Sequence, residues 1–128
     1  MKIEDLQGSY EANNASELEA ILLKRYGPGV NSFWLSHNNE KHPSIGLLVR
    51  GDLAVFHYFP SEGHPGFIPA ARVAILNMEE TTIFSVDTIE QELEVSNQIV
   101  TLFSTALPAA KDFFVSKELP SSIKWLEL

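Results

Sequence analysis

The sequence predicts an α+β fold, in which a mostly antiparallel β-sheet packs with an N-terminal and a C-terminal helix. Apolar residues recur at helical spacing near each end, and the segments between are rich in β-branched and aromatic residues. Turn residues, not helices, separate those segments, which favours hairpins over parallel pairs. The chain has 128 residues, 45% of them hydrophobic and 20% charged. We therefore expect one globular domain over residues 1–128.

The first helix is expected to begin at Ser16, because Ser16 and Glu19 have the spacing of a capping box. Apolar residues follow at helical spacing as far as Tyr26. The Gly-Pro-Gly segment at residues 27–29 is expected to end the helix.

Three strands are predicted next, over residues 31–36, 45–50 and 53–59. Gly51 and Asp52 predict a tight hairpin turn between the last two. Both faces of residues 53–59 are largely apolar. That segment is therefore expected to be a central strand, covered on one side by helix.

Prolines and glycines predict a loop over residues 60–69, with Phe67 inside it. Residues 72–77 fit either a strand or a short helix. Residues 81–86 predict a strand and residues 93–100 another short one, with a turn between them.

The last helix is expected to begin at Ser104 or Thr105, because Pro108 is tolerated in a first turn and costly deeper in a helix. Residues 123–128 alternate in polarity and predict a terminal strand.

The net charge of −8 comes almost entirely from the middle of the chain. Residues 51–110 hold eight acids and one base, Arg72, for a net of −7, whereas the other 68 residues hold nine acids and eight bases. A one-sided negative field steers a protein toward a basic partner, although acids can also serve solubility alone. Direct nucleic-acid binding is not expected, because it needs a surplus of lysine and arginine.

Motifs for catalysis and metal binding are missing. The chain has no cysteine, which excludes disulfides, thiolate metal sites and a cysteine nucleophile. Its histidines lack ligand spacing, and neither a Gly-x-Ser-x-Gly nor a phosphate-binding loop occurs. We therefore expect no enzyme activity, no metal and no cofactor. A small metal-dependent enzyme would need at least two of the four histidines to converge; these are His37, His42, His57 and His64.

Nothing in the sequence resembles a signal peptide or a membrane span, so we expect a cytoplasmic protein without membrane contact. Most aromatic residues, Trp34 among them, lie in predicted elements and are interpreted as core. Phe67 differs because it lies in a predicted loop, where it is either an interface anchor or packed back onto the sheet.

The C-terminal part contains AAKDFF at residues 109–114, LP at 119–120 and IKW at 123–125. It resembles the ending of the first-described immunity-protein family of bacterial polymorphic toxin systems. The Phe-Trp-Leu segment within residues 31–35 and the strand at residues 53–58 also stand in that family's usual order. The KDFF segment and the WLEL terminus are most similar to immunity proteins paired with secreted deaminase toxins, including the type that deaminates cytosine in double-stranded DNA.

This resemblance implies a protein that binds a cognate toxin domain one-to-one in interbacterial competition and covers its active site without catalysis or cofactor. The toxin would be a deaminase with a basic substrate cleft, for which an acidic surface can compete. From the charge and the 60–69 loop, the residues expected to contact it are Glu62, His64, Phe67, Glu79, Glu80, Asp87, Glu90 and Glu92. The alternative is a small-ligand-binding or adaptor domain.

Overall fold

The computed structural model describes residues 1–128 and confirms the predicted α+β class. Its first half contains β1 (Lys2–Glu4), β2 (Ser9–Glu11), α1 (Ala15–Leu22), β3 (Val30–Ser36), β4 (Ser44–Arg50) and β5 (Leu53–Phe59). Its second half contains β6 (Phe67–Pro69), β7 (Thr81–Ser85), β8 (Glu92–Ser96), a 3₁₀ turn (Asn97–Ile99), β9 (Thr101–Leu102), α2 (Phe103–Ser116) and β10 (Trp125–Glu127).

Eight strands form one antiparallel sheet in the order β10-β6-β5-β4-β3-β1-β2, with β9 paired to β5 as well. β7 and β8 form a separate two-stranded hairpin. β5 is central, as predicted, and pairs with β4 along its whole length. The tight turn between them uses Gly51 at φ +56°, a left-handed conformation that glycine adopts without steric cost.

The two faces of the large sheet are covered differently. The inner face packs against α1 and α2 and forms a core of 19 buried residues, in which Phe33, Phe56 and Phe113 are the largest fully buried side chains. Part of the outer face is covered by the β7–β8 hairpin, which is attached through a smaller cluster around Phe84 and Val95. The rest of the outer face is open.

α1 begins before the predicted Ser16. Asn14 is its N-cap and accepts a 2.9 Å hydrogen bond from the backbone N–H of Glu17, whose carboxylate accepts in turn from the backbone N–H of Asn13, the residue before the N-cap. The reciprocal capping arrangement therefore exists, two residues earlier than expected. The helix also ends at Leu22 and not at Tyr26, because Tyr26 forms an antiparallel bridge to β3.

The prediction of a loop throughout residues 60–69 is wrong at its end, where β6 joins the sheet. Phe67 lies opposite Tyr58 of β5 and Glu127 of β10. Gly66, at φ +100°, makes the turn into this strand. The proline and glycine content of this segment suggested a loop. Pro69 is nevertheless compatible with a strand, because it stands at the last position of β6, where a missing backbone N–H is easily accommodated.

α2 begins at Phe103, slightly before the predicted start. Pro108 consequently lies in the second turn, where it removes the N–H that would bond to the carbonyl of Ser104, an exposed residue. Residues 72–77 form neither of the two alternatives, strand or helix. The terminal strand is present but shorter than predicted, as β10.

Candidate functional site

Three aromatic side chains form a cluster on the open part of the outer face. Trp34 of β3 and His57 of β5 lie on either side of Gly46 of β4. The Trp34 ring stacks on Phe59 with centroids 5.6 Å apart, and Phe59 stacks on His57 at the same separation. Trp34 is 44% exposed, so its interpretation as a core residue is wrong. We call Trp34, His57 and Phe59 the aromatic cluster.

Trp34 and Asp87 together border two shallow depressions in this face. One, of about 230 Å³, lies between the aromatic cluster and the turn of the β7–β8 hairpin and is lined mostly by apolar side chains. The other, of about 310 Å³, extends from Trp34 toward Glu4 and Asp5 at the end of β1. Neither depression is lined by a lysine or an arginine. Carboxylates are therefore the charged groups that line them, and each has the exposed ring of Trp34 at its border.

The acids in the middle of the chain are not neutralised by ion pairs. The structure contains two side-chain ion pairs, Lys2 with Glu4 and Lys111 with Glu19, and a contact of His64 Nε2 with the Glu127 carboxylate. None of them includes an acid from residues 51–110. The local negative charge predicted from the sequence is therefore presented to solvent.

The β7–β8 hairpin carries five of the residues expected to contact a toxin, and all five are exposed. Glu79 and Glu80 precede β7, Asp87 and Glu90 lie in the connecting turn, and Glu92 begins β8. Because five strand residues extend about 17 Å, the hairpin holds these acids in two groups separated by roughly that distance.

The other three expected residues lie at the β6–β10 edge. Phe67 faces the inner side, because it shares its face with buried Tyr58, and their rings are 6.1 Å apart. His64 stacks on Phe67, and its Nε2 lies 2.9 Å from the Glu127 carboxylate. Glu62 is exposed in the preceding loop. The structure thus divides the eight residues between the hairpin and this edge.

Burial keeps two histidines neutral near pH 7. It lowers the pKa of His37, whose Nε2–H can donate to the Phe113 carbonyl at 3.2 Å. It also lowers the pKa of His57 in the aromatic cluster. A neutral His57 adds no positive charge to the outer face, so the negative potential beside Asp87 is not offset there.

No group of three or more histidine, aspartate or glutamate side chains is arranged to hold a metal ion. Neither helix is long and apolar enough to cross a bilayer.

No family model matches the chain. Over 128 residues it is 25% identical to the double-stranded DNA deaminase immunity protein of Burkholderia cenocepacia (strain H111), and the alignment covers 100% of both proteins. The resemblance predicted from the sequence is confirmed. The name of this relative matches the type of immunity protein that the KDFF and WLEL segments resemble.

Sequence reasoning missed the aromatic cluster, although one signal could have revealed part of it. In β3 the apolar side chains of Phe33 and Leu35 occupy one face, which leaves Trp34 on the opposite face between Ser32 and Ser36. A large aromatic residue on the polar side of an alternating strand indicates exposure. The stacking with Phe59 depends on the pairing of three strands and had no local signal.

Proposed function

We propose that the protein, over residues 1–128, is one non-catalytic immunity domain that neutralises a cognate interbacterial toxin of the deaminase type. It binds the toxin one-to-one and occludes its active site. The observation that carries this proposal is the similarity to a double-stranded DNA deaminase immunity protein across the full length of both chains. Similarity of that extent involves the whole fold and not one motif.

The charge distribution supports the same function. A deaminase that acts on nucleic acid needs a basic surface to hold phosphates. The unpaired acids of the hairpin can occupy such a surface in place of the substrate. Complementary charge also accelerates association, which benefits an inhibitor that must act before the toxin does. We place the hairpin acids at the contact surface, with Glu62, His64 and Phe67 as its second part.

The test begins with capture of the toxin on immobilised protein, from a lysate of the source bacterium, followed by identification by mass spectrometry. The captured toxin domain is then assayed for deamination of double-stranded DNA, single-stranded DNA and RNA while the immunity protein is titrated. We expect inhibition that is complete at one equivalent and is relieved by excess substrate. Capture of no deaminase, or retention of full activity at several equivalents, would refute the proposal.

The small-ligand alternative has one feature in its favour, an open depression of about 960 Å³ beside the loop at residues 37–42. Two of its thirteen lining residues are hydrophobic, and charges of both signs line it. Small-molecule sites are generally enclosed and mostly apolar, so this depression is a poor match. A thermal-shift screen against metabolites separates the two functions, since a ligand that raises the melting temperature would favour a small-ligand-binding domain.

A further inference from the structure

We propose that the depression between the aromatic cluster and Asp87 receives an arginine side chain of the toxin. This inference rests on the proposed function and deepens it, since it assigns a binding site and the chemistry of its occupant. The eight residues predicted from the sequence include Asp87 but not the aromatic cluster.

The chemistry of the depression favours a guanidinium group. The exposed ring of Trp34 offers a negative π-face, on which a planar guanidinium can stack. The Asp87 carboxylate borders the same depression, is exposed and has no cationic partner. A carboxylate accepts two parallel hydrogen bonds from arginine, an arrangement that the single ammonium of lysine cannot reproduce.

The size of the depression favours one side chain as the occupant. Its volume of about 230 Å³ is below the roughly 300 Å³ at which small-molecule sites begin. The lining residues Leu48 and Val55 provide an apolar surface for the methylene groups of an arginine.

The site is also preorganised. Contacts with Gly46 and Phe59 already restrict the Trp34 ring, so little conformational freedom is lost when a partner covers it. Aromatic residues of this kind often dominate the binding energy of an interface.

Two variants test the site with the captured toxin domain. Trp34→Leu removes the π-face but leaves an apolar side chain over Gly46. Asp87→Asn removes the charge, and asparagine tolerates the positive φ of +53° at this position. Matched controls outside the outer face are Val115→Ala and Glu118→Gln, at the exposed end of α2 and just beyond it.

We expect each test variant to raise the Kd about ten- to thirtyfold, as expected for loss of a desolvated cation–π contact or a charge-assisted hydrogen bond. The controls should stay within about twofold of the wild type. One arginine of the toxin should account for the effect, so that its replacement by alanine makes the protein insensitive to Trp34→Leu. The inference is wrong if folded Trp34→Leu and Asp87→Asn proteins both bind as tightly as the wild type.

A second measurement needs no toxin. The isotope-labelled protein is titrated with N-acetyl-arginine amide at millimolar concentrations, and with the uncharged citrulline analogue, while its NMR spectrum is recorded. We expect the Trp34 indole and Asp87 backbone signals to shift with arginine only, and Asp87→Asn to reduce the shift. Equal shifts with citrulline, or none with arginine, would overturn the inference. If capture yields no toxin, the proposed function fails while this titration still decides whether the depression binds a guanidinium.

Discussion

The indole ring of Trp34 lies directly over Gly46, the residue opposite it on the neighbouring strand. A Cβ atom at Gly46 would lie 3.0 Å from Cζ3 of this ring, closer than an ordinary van der Waals contact. The absence of a side chain at Gly46 therefore allows the ring to lie flat across β4 and to reach Phe59 of β5. The position of the largest exposed aromatic side chain thus depends on a glycine of the strand that lies between it and its stacking partner.

Gly46→Ala should move the Trp34 ring with little change in stability. The partly exposed ring can shift outward, and alanine is better than glycine inside a strand, so we expect the free energy of unfolding to change by less than about 1 kcal/mol. The Trp34 indole NMR signal should shift, whereas the signal of Trp125, which packs on Phe56, serves as an internal control. An unchanged Trp34 signal would show that the contact does not position the ring. Gly46→Val should lower the free energy of unfolding by more, about 1–3 kcal/mol, because the branched valine side chain displaces the Trp34 ring further.

The sequence was sufficient for the elements whose signals are local. The β4–β5 hairpin was predicted because Gly51 marks its turn and both flanking segments are apolar. β6 was missed because its pairing with β5 and β10 outweighs a composition typical of loops. The exposure of Trp34 has a local signal in β3, but its stacking on Phe59 requires the pairing of three strands, which is a tertiary property. Local patterns therefore predicted the fold class and the acidic hairpin but not the aromatic cluster.

The β7–β8 hairpin should detach from the sheet when its anchor is removed. Phe84 is fully buried in a cluster of only four buried residues, separate from the main core. Phe84→Ala is expected to lower the local free energy of unfolding of the β7–β8 hairpin by about 3–5 kcal/mol. In hydrogen exchange, amides of β7 and β8 should lose protection while those of β4 keep it.

The neighbouring Ile83→Ala is the control for this experiment, because Ile83 is 38% exposed and should contribute less than about 1 kcal/mol. Equal loss of protection in β4 and in the hairpin would show that the two unfold together.

Asn31 should be one of the most sensitive polar positions. It is fully buried, and its Nδ2 donates both to the Asp5 carboxylate at 3.1 Å and to the Lys24 carbonyl at 2.9 Å. Asn31→Leu leaves these acceptors without their donor and should lower the free energy of unfolding by about 2–3 kcal/mol in urea titrations. Asn31→Asp should cost more, since it places a second carboxylate beside Asp5. If Asn31→Leu leaves the free energy of unfolding unchanged, water satisfies these acceptors as well as the Asn31 amide does.

Stability should decrease on mild acidification because of His37. Burial makes the pKa of His37 lower in the folded than in the unfolded protein, so the unfolded state binds more protons below about pH 6.5. The contribution of neutral His37 to the free energy of unfolding is complete above that pH and is lost as the pH falls through the folded-state pKa. Nearby charges act in both directions, since Lys117 and the amino terminus lower this pKa and Glu40 raises it.

His37→Gln tests this prediction, because glutamine can still donate to the Phe113 carbonyl but does not titrate. Urea titrations at several pH values between roughly 7.5 and 5 should show a weaker pH dependence for this variant. The pKa of His57 is lowered by burial as well, so this residue should contribute in the same direction. The stability of a double variant with His57→Gln should therefore depend even less on pH. A pH dependence identical to that of the wild type would exclude both histidines as its source.

Charge reversal on the hairpin should slow association with the toxin and identify which end of the hairpin faces it. Glu79→Lys with Glu80→Lys changes the end before β7, and Glu90→Lys with Glu92→Lys changes the end at the turn. The pair at the turn lies on the side of Asp87 and the aromatic cluster, so it should reduce the association rate more, by about tenfold or greater at low salt.

The matched control for charge reversal changes two exposed acids elsewhere by the same amount, Glu40→Lys with Glu118→Lys. Association rates measured by stopped-flow at several salt concentrations separate the effects, because a lost steering charge also weakens the dependence on salt. A larger effect from the control pair would place the contact surface outside the hairpin. If only the pair before β7 has an effect, the toxin approaches the opposite end of the hairpin, away from Trp34.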